Sequence, residues 1–244
     1  MTRQTKSEEL FQKYCTIRGY RVERLNTSAN RTLDFLVHTS QGEVVAEVTE
    51  LRANDEDAKF AKQQEIAWRA CNRLKVKPCA FGTTIGKRLR EKIEDKLHQT
   101  KPLASRCLPC VIVVYDNIRY HGRRVHLPWA PDLYPDHFSI AMYGEYVVVM
   151  TLSEQSGKIL RTRDAVGGNR KLRPDQGTHV SAVCHLAESP ETGEPFFITY
   201  HNGFSTTKLA TSVFAQAADV HLKNPETDDG FQVIWERIQS ATSV

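Results

Sequence analysis

The chain has 244 residues, 40% of them hydrophobic and 25% charged, with a formal net charge of +4. This is the make-up of a soluble globular protein, within reach of one large domain and long enough for a full core. It excludes a disordered or collagen-like chain, and the mild positive balance permits a polyanionic partner without demanding one. The opening MTRQTKSEEL has no apolar signal core, and no run approaches the ~18 apolar residues of a membrane span, so a cytoplasmic protein without a membrane partner is expected.

Residues 7–19, SEELFQKYCTIRG, read as an amphipathic helix. Ser7 suits the N-cap, Glu8 and Glu9 the first turn, and Gly19 the stop. Leu10, Phe11, Tyr14 and Ile17 form its apolar stripe with Cys15 at the edge. Helical angles place Glu8 beside that stripe and Glu9 behind it. Glu8 can therefore lean toward a site under the helix, or serve only the helix N-terminus. Tyr20 to Leu25 reads as a first strand.

Residues 31–51, RTLDFLVHTSQGEVVAEVTEL, read as two strands joined by a tight turn at Thr39-Ser40-Gln41-Gly42. A turn centred between Ser40 and Gln41 pairs His38 with Glu43, Leu36 with Val45, and Asp34 with Glu47. Alternation puts Phe35, Val37, Val44, Ala46 and Val48 together on the opposite, apolar face. Two facing carboxylates repel by about 0.2–1 kcal/mol. A divalent cation held between Asp34 and Glu47 removes that penalty; the plainer readings are a wet sheet edge or a register shifted by one.

From about Asp55 to Leu74 the spacing predicts a long helix closed by Pro78, and from Ile85 to Gln99 a second, with Ile85, Leu89, Ile93 and Leu97 four apart. Lys96 lies within about 40° of the centre of that stripe, where a lysine must snorkel out or meet a carboxylate. Lys87, Arg88, Arg90 and Lys92 form a basic flank. Cys110 to Tyr115 and Tyr146 to Met150 are continuous β-branched runs, the pattern of strands covered on both faces.

Residues 117–145, with Pro128, Pro131, Pro135 and the histidines His121, His126 and His137, read as an irregular excursion or lid. Residues 161–177 carry Arg161, Arg163, Arg170, Lys171 and Arg173 with Gly167-Gly168 and Pro174. They read as a flexible basic loop, either tracking a phosphate backbone or solvated. His179 to Leu186 and Phe196 to His201 read as a strand pair, and Gly230 to Ser240 as a closing helix. The six cysteines, Cys15, Cys71, Cys79, Cys107, Cys110 and Cys184, read as structural thiols, because the Cys107/Cys110 CxxC has no second pair at zinc spacing.

The order helix, strand, strand with Asp34, strand with Glu47, helix, apolar strand resembles the PD-(D/E)XK nuclease superfamily, the restriction-endonuclease-like fold. The resemblance covers about residues 5–116, and the later strands read as a C-terminal extension of one domain, 1–244. The motif is Asp34, twelve residues, then Glu47-Val48-Thr49; Leu33 stands where the family often has proline and Thr49 where it usually has lysine. The resemblance implies a central mixed β-sheet flanked by helices, and Mg2+ (or Mn2+) held by Asp34, Glu47 and the Val48 carbonyl, with Glu8 as a helix-one ligand. It further implies phosphodiester hydrolysis in DNA or RNA, alone, as a homodimer or with a partner protein.

Thr49 cannot replace an ammonium, although its hydroxyl can bond a metal-bound water. Some members move the cation to the neighbouring helix, and Lys96 with Gln99 one turn later is the candidate pair, with Lys92 and the Lys59/Lys62 pair in reserve. The competing reading of Lys96 and Gln99 is a solvent-facing helix end. The alternative for the whole chain is a catalytically inactive nuclease-fold protein that binds nucleic acid or protein.

Overall fold

The computed structural model describes residues 4–25, 34–52, 55, 87–101, 107–117, 137–143, 146–152, 159–166, 170–189, 191–215, 219–223 and 236–238. Its elements are α1 (Lys6–Ile17), β1 (Arg21–Arg24), β2 (Phe35–Thr39), β3 (Gly42–Leu51), α2 (Lys87–Thr100), β4 (Cys110–Asp116), α3 (His137–Tyr143), β5 (Tyr146–Leu152), β6 (Ile159–Val166), β7 (Ala182–Glu188), β8 (Pro195–His201), β9 (Val220–Lys223) and β10 (Glu236–Ile238). Eight strands form one sheet in the order β1-β2-β3-β4-β7-β8-β9-β10. The pairs β3–β4, β4–β7 and β8–β9 are parallel and the rest antiparallel, so the fold is α/β with a mixed sheet between helices. No helix among the described residues is long and apolar enough to cross a membrane.

The β2–β3 hairpin has the register that its turn predicts, with Leu36 opposite Val45 and His38 opposite Glu43. Phe35, Val37, Val44, Ala46 and Val48 fall on one face. There they meet Leu10, Phe11, Tyr14 and Cys15 of α1 and Val111, Val113 and Phe197 of the neighbouring strands. On the other face, Val45, Leu51, Ile112, Val114 and Val183 pack against Leu89, Ile93 and Leu97 of α2 and Phe138, Met142 and Tyr143 of α3. Both faces of β4 are covered, as its unbroken apolar run requires.

Several sequence expectations are corrected. The N-cap of α1 is Thr5, not Ser7: its side chain accepts from the Glu8 N–H while the Glu8 carboxylate accepts from the Thr5 N–H, a capping box. Ser7 instead lies buried in the first turn. Ile17 is 42% exposed, because at 100° per residue it sits about 90° from the centre of the buried stripe.

Residues 117–145 are not wholly irregular: 137–143 form α3, with Phe138, Ala141, Met142 and Tyr143 buried, and His137 opens that helix. The basic stretch 161–177 is not one loop. Its first part completes β6, which pairs antiparallel with β5 in a separate two-stranded sheet. Its last part is held in place, with Leu172 buried and Lys171 bonded to Glu94. Arginines masked the period-two alternation of a strand there. Tyr146 to Met150 is a strand, as expected; among the described residues it pairs with β6 in the two-stranded sheet rather than in the main one.

The closing helix is absent at Glu236–Ile238, which form β10 beside β9. The β-branched and aromatic content of FQVIWERI suits a strand as well as its spacing suits a helix. The Asp55–Leu74 helix beyond Asp55, with Lys59 and Lys62, lies outside the described residues, as do His121 and His126. Cys15, Cys110 and Cys184 are buried free thiols, raised by burial, the latter two to about 12; Cys107 is exposed.

Candidate active site

The β2–β3 ladder ends at Phe35–Ala46, one residue short of Asp34 and Glu47. Beyond that point β3 continues, among the described residues, against β4, pairing Glu47 with Ile112 and Thr49 with Val114. Beside this stretch of β3 lies a cleft of about 540 Å³. It is lined from α1 by Thr5, Ser7 and Glu8, from the hairpin by Asp34, Val48 and Thr49, and from α2 by Lys92 and Lys96.

Asp34 turns its carboxylate back across the missing rung, where Oδ2 accepts the Val48 N–H at 2.8 Å. Glu47 points toward α2, and its side chain is only 5% exposed. Burial pushes the Asp34 carboxyl up, opposed by the Val48 N–H and by Lys96. Burial pushes Glu47 up as well, with the nearby Asp34 adding to it and Lys96 opposing it.

Lys96 meets a carboxylate rather than snorkelling out. Its Nζ donates to Glu47 Oε1 at 2.5 Å and to Gln99 Oε1 at 2.9 Å, so it bridges the strand acid and the next helical turn. The solvent-facing helix end weighed for this pair is thereby set aside: the Lys96 side chain is 17% exposed. Thr49, 6% exposed, sits two residues past Glu47 on the same face of β3. Lys92 lines the cleft one turn from Lys96.

Glu8 reaches the cleft from the helix on the far face of the sheet, and both its oxygens are engaged. Oε2 closes the capping box and Oε1 accepts from Arg24 Nη2 at 2.8 Å. Arg24 was not legible as a site residue: nothing local in RVER distinguishes it from the exposed Arg21 of the same strand. Glu50, Arg52 and Arg88 also line the cleft; Arg88 donates to the Arg52 carbonyl at 2.5 Å and Asn117 to Glu50 at 2.7 Å.

The donor set suits a small hard cation through two carboxylates rather than three. Asp34 and Glu47 offer buried oxygens whose mutual repulsion favours a positive charge between them, and Val48 supplies a backbone carbonyl beside them. Glu8 is the weakest member, since both oxygens already have partners. Among the described residues no three His, Cys, Asp or Glu side chains group into a cage for a metal ion. No family model, curated protein or solved structure matches the chain.

Proposed function

We propose that the chain is a metal-dependent nuclease that hydrolyses phosphodiester bonds in DNA or RNA, with Asp34 and Glu47 holding Mg2+ or Mn2+ and Lys96 replacing the lysine absent at Thr49. The observation that carries this reading is the bond from Lys96 on α2 to Glu47 on β3, braced by Gln99. It sets an ammonium beside Glu47 and within the field of Asp34, whose carboxylate turns back to the Val48 N–H. The mixed sheet, in which a β1-β2-β3 meander is followed by a helix and a parallel β4, supports the same reading.

When bound there, Mg2+ or Mn2+ would supply a Lewis acid and a water of lowered pKa. Asp34, fixed by the Val48 N–H, and Glu47 would hold the ion, with the Val48 carbonyl and, through water, Glu8 as the further ligands. Lys96 places positive charge where the attacked phosphoryl group gains negative charge, Gln99 holds that ammonium in line, and the Thr49 hydroxyl bonds the attacking water.

One observation favours the second reading, an inactive nuclease-fold module that binds nucleic acid or protein. The 2.5 Å Lys96–Glu47 contact already neutralises the buried acid from within the protein.

The deciding experiment incubates the purified chain with mixed single- and double-stranded DNA and RNA, with Mg2+, with Mn2+ and with EDTA. Cleavage is expected only with the divalent ions, and Asp34→Ala and Glu47→Ala are each expected to abolish it while circular dichroism stays native. Cleavage that survives both substitutions would overturn the assignment. Binding without cleavage would transfer the site to the second reading.

A further inference from the structure

The last four carbonyls of a helix have no partner within it and must be satisfied from outside. At the end of α2 that partner is His179. Its Nε2 lies 3.0 Å from the Leu97 carbonyl and 3.0 Å from Thr100 Oγ1. A carbonyl only accepts, so Nε2 carries the proton. The buried Thr100 hydroxyl has its own acceptors, the Lys96 carbonyl at 2.9 Å and the Leu97 carbonyl at 3.2 Å. It therefore donates into the helix and accepts from the ring.

Two further contacts grip the same helix from the same segment. Lys171 Nζ donates to Glu94 at 2.6 Å. Gly177, at φ +74°, lies so close that an added Cβ would stand 3.2 Å from Leu97 Cδ2. The segment is itself tied to the region after β8: Asn202 donates to the carbonyls of Gly177 and Val180 at 3.0 and 2.8 Å, and the Thr206 N–H to the Thr178 carbonyl at 2.8 Å. Residues 171–179 thus hold α2 at Glu94, Leu97 and Thr100, on the turns that present Lys96 to Glu47 and Gln99 to Lys96.

We propose that His179 is a positioning residue of the candidate active site, locking the last turn of α2 through Thr100 and the Leu97 carbonyl so that Lys96, braced by Gln99, stays on Glu47. Its catalytic meaning rests on the nuclease reading; the mechanical coupling does not. A long lysine side chain loses much rotamer freedom when it is held in one geometry. A frayed last turn would return that freedom to Lys96 and leave Glu47 with an intermittent partner. The strands after β4 are then part of the site's machinery, since they carry the clasp.

The test compares two variants of the full chain. His179→Phe keeps a ring but removes the donor, whereas His179→Gln keeps an N–H donor. The first readout is independent of turnover: the mobility of the Lys96 Cε methylene is followed by carbon-13 NMR relaxation, with Glu47→Ala marking complete loss of its partner. His179→Phe is expected to raise that mobility toward the Glu47→Ala level and His179→Gln to return it toward wild type. The second readout is cleavage, where His179→Phe should lower kcat by up to about 100-fold with KM changed far less. If His179→Phe does not fold, Thr100→Val, of equal volume, is expected to raise the Lys96 mobility in the same direction. A Lys96 mobility that stays at the wild-type level in the folded variants, or that rises alike in the Phe and Gln variants, would overturn the proposal. A wild-type chain that cleaves nothing defeats the nuclease reading, while the Lys96 mobility still decides the clasp.

Discussion

At the scale of single residues, Asp34 and Glu47 are held in opposition: burial raises both carboxyls, Asp34 raises Glu47 further, and Lys96 pulls each down without restoring the ordinary value. A group whose pKa is raised on folding adds stability below its unfolded pKa and withdraws it as pH rises through the folded one. The acid pair therefore costs stability at neutral pH when no divalent cation is present. Asp34→Asn removes one charge and keeps an oxygen to accept the Val48 N–H. In EDTA it is expected to raise the unfolding free energy by about 0.5–1 kcal/mol, the size of a relieved cross-strand repulsion. Urea titrations with and without Mg2+ check this: wild type gains stability from the ion and the variant gains little, and an equal gain in both would place the ion elsewhere. Thr49 allows a complementary test, since it shares the β3 face with Glu47. Lys96→Met is expected to lower cleavage about 100–1000-fold, and adding Thr49→Lys to recover about tenfold of it; no recovery would mean that the strand position does not address the same phosphoryl group. The face of Glu47 was legible because a tight turn and a period of two leave little freedom of register; the pairing of Asp34 with Glu47 was not, because the ladder stops at Phe35–Ala46 and the Asp34 carboxylate turns to the Val48 N–H. Lys96 was legible because its helical angle put a cation inside an apolar stripe. Arg24 was not, because its partnership with Glu8 depends on how the turn at Arg18 and Gly19 brings β1 back beside α1.

At the scale of elements, local signals succeeded where one period dominated and failed where two competed. At the start of α1 the cap is Thr5 rather than the expected Ser7, because Thr5 stands three residues before Glu8, the spacing of a capping box. Thr5→Ala is expected to cost about 0.5–2 kcal/mol in thermal or urea unfolding, because the Glu8 N–H loses its acceptor while the backbone N–H at position 5 still meets the Glu8 carboxylate. Arg24→Ala instead releases Glu8 Oε1 and, on the reading that Glu8 serves a cation through water, should tighten Mg2+ binding measured by calorimetry; unchanged binding would leave Glu8 outside the metal set. The β6 and β10 strands were misread for a common reason: their alternation is short and broken by charge, so composition outweighed period in one and helical spacing in the other. Gly177 marks a third kind of element, a turn pressed against a helix. Gly177→Ala must adopt φ +74° and push its methyl against Leu97, and is expected to cost about 1–2 kcal/mol from backbone strain alone. A neutral result in chemical unfolding would show that the turn relaxes away from α2 without penalty.

At the scale of the whole molecule, the sheet order was the least legible property. Register within a hairpin is a local fact, but the docking of β7 beside β4, with the β5–β6 ribbon between them in sequence and outside the sheet, leaves no local trace. That docking creates the C-terminal core, and with it a buried histidine pair on adjacent parallel strands. His221 Nε2 lies 3.0 Å from the Phe214 carbonyl, so that nitrogen is the donor and Nδ1 is the acceptor for His201 Nε2–H at 2.8 Å. Protonating His221 would set one N–H against another in a site with 1% exposure, and burial accordingly holds its pKa below the ordinary 6.5. A base whose pKa falls on folding binds more protons when unfolded, so its contribution is fully present above about pH 6.5 and is lost as pH falls toward the depressed folded value. His221→Gln keeps polar atoms for both neighbours but cannot titrate. The variant is expected to be less stable than wild type at about pH 7.5, because its packing is imperfect, and to lose less stability on acidification to about pH 5. Melting curves of the two proteins at matched pH isolate this group from the acid pair, whose contribution runs in the opposite direction and is common to both. Parallel curves would show that the histidine pair takes up its proton without strain and that acid sensitivity arises elsewhere in the fold.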